Sequence, residues 1–393
     1  MAKLRENAAS AAKVCAALVG TVVGAGFVSG AELVRFFPSQ GFLPWVLFSA
    51  VLFFAAFFSL MRLGEKYGGY AGALRSVFGR FAPPVRALTL ACSFILCGGM
   101  FAGLDAALRA GFGLSYSFPW LALLAGAALF LFSGRGMGAV CAVNLLLVPL
   151  ILFFLARFAV GAEFSGFPYS PPTGFLHRAL SAALYTFLNA FLSAPVACDL
   201  GARFPSRGRS VGCAAASAAV GFCAAVVLGC VARGGAGAYT AEMPLLYALG
   251  GGGKVFSLVC LCGIFTTLVS SYYPLHAFAA ERRRPAALRI GFLLSAFLLS
   301  LLGLRGIVDK IYPLLGGLGA LFFAACAFSG LRSRLGKMQI LAVRRKQRAA
   351  RKGKGRPEAG MRQRGRFSPN GTGCTLSRRN GVAPPLCASP RER

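Results

Sequence analysis

The stretch GTVVGAGFVSG, Gly20 to Gly30, sets four glycines inside an apolar run that carries no charge. Such spacing does one of three jobs. After a strand and before a helix, Gly-x-Gly wraps a dinucleotide pyrophosphate. On a membrane helix, small residues four apart let two helices touch. In mid-span, a Gly-Ala-Gly core flanked by Val22, Val23 and Val28 is a place to unwind, because glycine weakens a helix by about 1 kcal/mol. The first job fails on context, since both flanks are helical and long enough to cross a membrane. Close packing accounts for Gly20 and Gly24. A discontinuous helix is the stronger reading, and unwound backbone at membrane depth is tolerated only where it is buried in protein or lines a cavity.

A second polar set lies in ALYTFLNAFLSAPVACDLG, where Tyr185, Asn189 and Ser193 recur at four-residue steps before Pro195. Proline removes a backbone hydrogen bond and kinks a helix, and an amide facing lipid is costly. An ordinary proline kink explains this segment taken alone. Paired with the first break it reads as a second discontinuous helix, and transporters present such breaks to ions and solutes.

Ionisable residues inside apolar spans are functional candidates by default. Glu32 has Arg35 three residues on, so the two either neutralise each other along one face or leave Glu32 as a gate or proton site. Asp105 either pairs with Arg109 at i,i+4 or faces an outer vestibule, and it joins Glu32 as a candidate gate or proton site. Asp199 reads as a surface pair with Arg203, and His276 as a satisfied interface histidine. The chain has 13 cysteines and two histidines. Cys260 and Cys262, two apart on a helix, point to different faces, so no transition-metal site and no disulfide is expected. No span offers a Ser-His pair or clustered His and carboxylates, so an enzyme is not expected.

The elements that must position these residues follow from composition. The 393 residues are 57% hydrophobic and only 13% charged, against about 25% charge in soluble domains. Apolar runs of about twenty residues, enough to cross a bilayer, recur from Ala12 to Phe328. Ten spans are expected: Ala12–Phe37, Leu43–Arg62, Pro84–Ala110, Pro119–Ser133, Gly136–Val160, Leu176–Gly201, Ser210–Ala232, Val255–Phe278, Ala287–Leu304 and Ile307–Phe328. The two interruptions fall in spans one and six, as an inverted repeat of five plus five would place them. The segment between spans two and three reads as an interfacial amphipathic connector.

Of 42 Lys and Arg, 18 follow Gly330. Of the remaining 24, sixteen fall on one side of the alternating spans and seven on the other, with Arg35 inside the first span. The positive-inside bias puts both termini in the cytoplasm of a cell inner membrane. Three regions are expected: residues 1–11 as a cytoplasmic N-terminus, 12–330 as a transmembrane domain and 331–393 as a basic, disordered cytoplasmic tail. Despite the net charge of +31, the basic residues crowd into that aperiodic tail, which suits anionic lipid. The lipid bilayer and a small-molecule substrate are the expected partners, and no nucleic acid is expected. Nothing in the sequence sets an oligomeric state.

The segment VGTVVGAGFVSGAELVRFF closely resembles the first helix of the YkvI-type bacterial membrane proteins, of the amino acid–polyamine–organocation superfamily. GIFTTLVSSYY in the eighth span, and the Tyr-then-Asn pattern of the sixth, resemble the same family. The likeness runs from about Val14 to Phe328 and leaves the tail aside. It implies an all-α membrane protein of the LeuT-like fold, with broken helices one and six holding a substrate between them. It further implies symport of an amino acid or similar small solute by alternating access, a bundle of helices one, two, six and seven rocking against three, four, eight and nine. Na⁺ or H⁺ would be the coupling ion, with no other cofactor.

Carried residue by residue, the resemblance makes Gly20 and Val23 carbonyls, with Gly263, Thr266 and Thr267 on the eighth helix, the cation ligands. Such neutral oxygens suit a hard monovalent cation. The alternative is that Thr266 and Thr267 merely bond backward along their own helix. The implied substrate-facing set is Ala25, Gly26, Tyr185 and Asn189, with N–H groups at Gly26 and Phe27 receiving a carboxylate. The family's common Gln before the first-helix Glu is Ala31 here. The rival class is a membrane signalling or scaffold protein that keeps this fold without transporting.

Overall fold

The computed structural model describes residues 2–114, 119–132, 135–169, 174–241, 243–250, 253–303, 312 and 314–329. The tail expected over 331–393 lies outside the described residues.

The first span is built of three pieces, α1 (Ala2–Val22), α2 (Ala25–Ser29) and α3 (Ala31–Phe36). α4 (Leu43–Tyr67) is the second span. The connector expected at the interface is α5 (Tyr70–Phe78), leading through a short 3₁₀ turn into α6 (Ala82–Phe112), the third span. α7 (Trp120–Phe132) and α8 (Met137–Ala159) are the fourth and fifth. The sixth is again broken, into α9 (Phe175–Leu192) and α10 (Ala194–Arg203), bent by 58°. α11 (Ser206–Arg233) is the seventh span. Two short helices, α12 (Gly235–Thr240) and α13 (Pro244–Leu249), precede α14 (Gly253–Ala280), the eighth. α15 (Pro285–Ser300) and α16 (Leu314–Ser329) complete the set.

Long apolar stretches make these helices, since a helix satisfies its own backbone where no water can. Leu47, Val51, Leu146 and Phe153 point outward from the bundle, as a lipid surround permits. The helix expected from Ala12 begins at Ala2, inside the segment assigned to a plain N-terminus. Pro195 does not kink a continuous helix. α9 stops at Leu192, and Pro195 sits in the first turn of α10, where its missing N–H would be an orphan anyway.

Packing sorts the spans into groups. α1 lies on α11, α10 on α4, and α4 on both α9 and α11, joining spans one, two, six and seven. α6 lies on α14, α15 and α7, joining spans three, eight, nine and four. α8 touches α14 from one group and α1 and α11 from the other. Within the first group, a methyl at Gly64 of α4 would strike the Cys198 carbonyl of α10, and one at Gly201 of α10 would strike the Met61 carbonyl of α4. These two glycines bring the helices into backbone contact.

Candidate functional site

The first-span break shows in its hydrogen bonds. The Val23 N–H still reaches Val19 O at 2.8 Å, but the Gly24 N–H turns short to Val22 O at 2.9 Å. The Gly20 carbonyl therefore loses the donor four residues on that a continuous helix would supply. The Ala25 N–H meets the Met100 sulfur of α6 at 3.5 Å, and the helix resumes with Val28 N–H on Gly24 O at 2.8 Å. After the five residues of α2 it turns again at Gly30, whose φ of 85° is the left-handed conformation glycine adopts freely.

The released Gly20 carbonyl accepts the Thr267 hydroxyl of α14 at 2.8 Å. A Cβ added at Gly24 would lie 2.9 Å from that same hydroxyl oxygen, and one at Gly263 would lie 3.1 Å from Val23 O. Gly20, Val23, Gly263 and Thr267 are thus brought together across the two helices. Thr266 sits beside them but turns its hydroxyl back to Gly263 O at 2.7 Å. Of the two threonines, one bonds backward along its helix and the other reaches across.

Asn144 of α8 belongs to this cluster and was not anticipated. Its Nδ2 donates to Val140 O at 2.7 Å and to the Ser270 hydroxyl at 3.2 Å. Both amide hydrogens are thereby used, which turns Oδ1 toward Gly20, where an added methyl would collide with it. That oxygen is buried without a hydrogen-bond partner. The signal was available, because a lone amide in the apolar run VCAVNLLL is costly unless it is put to use.

At the substrate side, Ala25, Gly26 and Phe27 are fully buried, with Tyr185 and Asn189 buried alongside. Asn189 donates from Nδ2 to Tyr185 O at 3.1 Å along its own helix, and Ser193 closes the C-terminal end of α9 by donating to Asn189 O at 2.7 Å. The Tyr185 ring packs on Phe37, Phe36 and Phe53 at 5.2, 5.7 and 6.0 Å between centroids.

Glu32 does not pair with Arg35. It is 4% exposed and folds back from α3 so that its carboxyl lies over Gly26, where an added methyl would collide with Oε1, while Arg35 faces outward. The second turn at Gly30 causes this, since it re-aims α3 and with it the carboxylate. Asp105 lies 3.6 Å from the Arg109 guanidinium, and both residues line a cavity of about 850 Å³ with Met243, Tyr247 and Ser300.

Two further expectations are corrected. Asp199 is not a surface partner of Arg203; it accepts the Tyr70 N–H of α5 at 2.8 Å and the Tyr273 hydroxyl of α14 at 2.6 Å. His276 is not satisfied, because its Nδ1 is buried without a partner. Among the described residues, no three His, Cys, Asp or Glu gather as a metal site.

No family model matches the chain. Over 156 residues it is 28% identical to the uncharacterized membrane protein YkvI of Bacillus subtilis (strain 168), a stretch making up 38% of this chain. The match spans less than half of that relative, 44% of its length. A solved manganese transporter of Eremococcus coleocola superposes with a TM-score of 0.52 at 16% identity, covering 82% of this chain and 77% of that one. A nucleobase-cation-symport-1 family transporter, in a closed conformation with bromovinylhydantoin bound, superposes at a TM-score of 0.46 and 12% identity, covering 79% and 74%. The chain is accordingly a multi-pass, all-α membrane protein with the LeuT-like fold, broken at helices one and six, and it resembles YkvI.

Proposed function

We propose that this protein is a secondary transporter that carries an amino acid or similar small solute across the cell inner membrane with Na⁺ or H⁺. The observation that carries the reading is the Thr267 hydroxyl on the Gly20 carbonyl. It joins the carbonyl released by the first break to the helix packed against it, across the seam between the two packing groups. Na⁺ would be held by carbonyls of Gly20, Val23 and Gly263 and hydroxyls of Thr266 and Thr267. Asn144 Oδ1, buried without a partner beside Gly20, is a further oxygen there. All are neutral oxygens, the donor type a hard cation takes.

Transport follows from the packing. The solute binds where the first and sixth spans break, against Ala25, Gly26, Phe27, Tyr185 and Asn189. The group of spans one, two, six and seven then rocks against three, four, eight and nine. A cation gripped from both sides of the seam favours one arrangement by its differential affinity for the two. On this reading residues 12–330 are the transporting unit, both termini face the cytoplasm, and Asp105 stands in the outer vestibule.

The test is thermal stability of the purified protein in NaCl against choline chloride, across a panel of amino acids. A ligand at a hundred times its Kd stabilises by about 2.7 kcal/mol, which such a melt resolves. Sodium-dependent stabilisation, lost in Thr267→Ala, is the expected result. Stabilisation by a solute without a sodium effect moves the coupling ion to H⁺. No response to any solute sinks the transport reading and leaves a membrane signalling or scaffold protein.

A further inference from the structure

Away from the paired breaks, a cavity of about 430 Å³ opens where spans five and seven end, between α8, α11 and α13. Arg157 near the end of α8 and Arg233 at the end of α11 both line it, with Phe158, Cys230 and Leu249. No Asp or Glu is among its described lining residues. Two guanidinium groups around one cavity repel each other, and an anion between them turns repulsion into attraction.

The backbone holds this cavity in shape. The Glu163 N–H donates to Gly229 O at 2.9 Å, tying the loop after α8 to the last turns of α11. The Cys230 thiol meets Phe158 O at 3.7 Å. Arg233 Nη1 donates to Gly161 O at 3.2 Å, its one hydrogen bond among the described residues, out of five N–H groups that a guanidinium carries. Arg157 has neither a hydrogen bond nor an ion pair among the described residues. The Glu163 carboxylate serves neither arginine; it accepts from the Ser165 N–H and hydroxyl.

From Arg157 an apolar stripe runs back along α8. Phe153, Leu150 and Leu146 follow it at steps of four, three and four residues, which is one helix face. All three are exposed, as is Arg157 at the head of the stripe. The helix from Leu146 to Arg157 is about 16 Å long, which matches one leaflet of a hydrocarbon core of about 30 Å.

We infer that this cavity binds the phosphate headgroup of an acidic phospholipid, whose acyl chain lies along the Phe153–Leu146 stripe. The guanidinium fork takes phosphate oxygens two at a time. An acidic headgroup fits better than a zwitterionic one, because no carboxylate among the described lining residues is there to receive an ammonium. Free phosphate would answer the two charges equally well, and the exposed stripe beginning at Arg157 is what points to a lipid.

The experiment titrates full-length protein, stripped of lipid in detergent, with phosphatidylglycerol, phosphatidylethanolamine or inorganic phosphate, and reads the melting temperature. Phosphatidylglycerol should stabilise saturably and bind at least tenfold more tightly than phosphatidylethanolamine. Arg157→Gln and Arg233→Gln should each weaken it at least tenfold. Arg178→Gln, at the start of span six on the same end of the bundle, should leave it within twofold. The inference fails if the two lipids bind the wild type equally, or if neither stabilises it. It fails if inorganic phosphate matches the lipid at equal concentration, which makes this a free-anion site. Unchanged affinity in both cavity variants places the lipid elsewhere, and an equal loss in Arg178→Gln reduces the effect to general surface charge. The wild-type comparison needs no variant, so it decides the matter even where an arginine variant does not fold.

Discussion

The side chains at the seam are held by hydrogen bonds that can be removed one at a time. Thr267 is the only one of the two adjacent threonines whose hydroxyl crosses to the first span, so Thr267→Ser should keep the sodium effect that Thr267→Ala loses. Asn144 differs in kind, because its amide is fixed by Val140 and Ser270 while Oδ1 is left over. If that oxygen joins the cation's shell, Asn144→Ala should weaken sodium about tenfold, equivalent to about 1.4 kcal/mol. Sodium titration of the melting temperature measures it. An unchanged sodium midpoint would make Asn144 a tie between helices eight and five and nothing more. Thr266 and Thr267 were visible in the sequence as a pair, but which hydroxyl crosses was not. A threonine on a membrane helix can always bond backward, and only the neighbouring helix decides otherwise.

Helices two and six are set by backbone contact. Gly64 and Gly201 sit where each helix's carbonyls would strike a side chain on the other. Gly201→Ala should therefore destabilise by about 1–3 kcal/mol, the usual cost of overpacking, seen as a lower melting temperature with or without solute. The end of the sixth span is tied differently. Asp199 accepts from Tyr70 on the connector and from Tyr273 on the eighth span, so it joins the first packing group to the second. Asp199→Asn keeps one acceptor oxygen but meets the Tyr273 hydroxyl with an amide, and hydrogen bonds to a charged group are worth about 1.5–3 kcal/mol. The expected outcome is faster alkylation of the neighbouring Cys198, which is buried in this arrangement, read by mass spectrometry of labelled protein. Unchanged Cys198 labelling would show that Asp199 does not latch this end.

Across the molecule, other charges brace one packing group or the other. Arg86 of the third span pairs with Glu281 beyond the eighth at 2.7 Å. Arg209 at the start of the seventh pairs with Glu65 of the second and donates to the Gly201 carbonyl of the sixth. Each joins helices within one group, whereas Asp199 and Thr267 cross between groups. Orientation is testable for the whole chain. If the positive-inside bias holds for this chain, that point is cytoplasmic, and a fluorescent protein fused after Gly330 should fluoresce while alkaline phosphatase fused there stays inactive. The opposite pair of results would invert the assignment of inner and outer ends.

The sequence by itself determined the class, the spans and the breaks. Apolar runs long enough for a bilayer, and glycines or proline within them, are local properties that neighbours do not reverse. The break at Gly20–Gly30 was legible because its flanks were too long for anything but a membrane helix. What tertiary structure decided is where each polar atom points. Glu32 and Arg35 are three apart and compatible with pairing on any regular helix, yet the turn at Gly30 sends one inward and one out. Asp199 has Arg203 four residues away on its own helix and instead accepts from two distant elements. A hydrogen bond depends on direction to within tens of degrees, and direction is set by how helices pack, which the order of residues along one of them does not record.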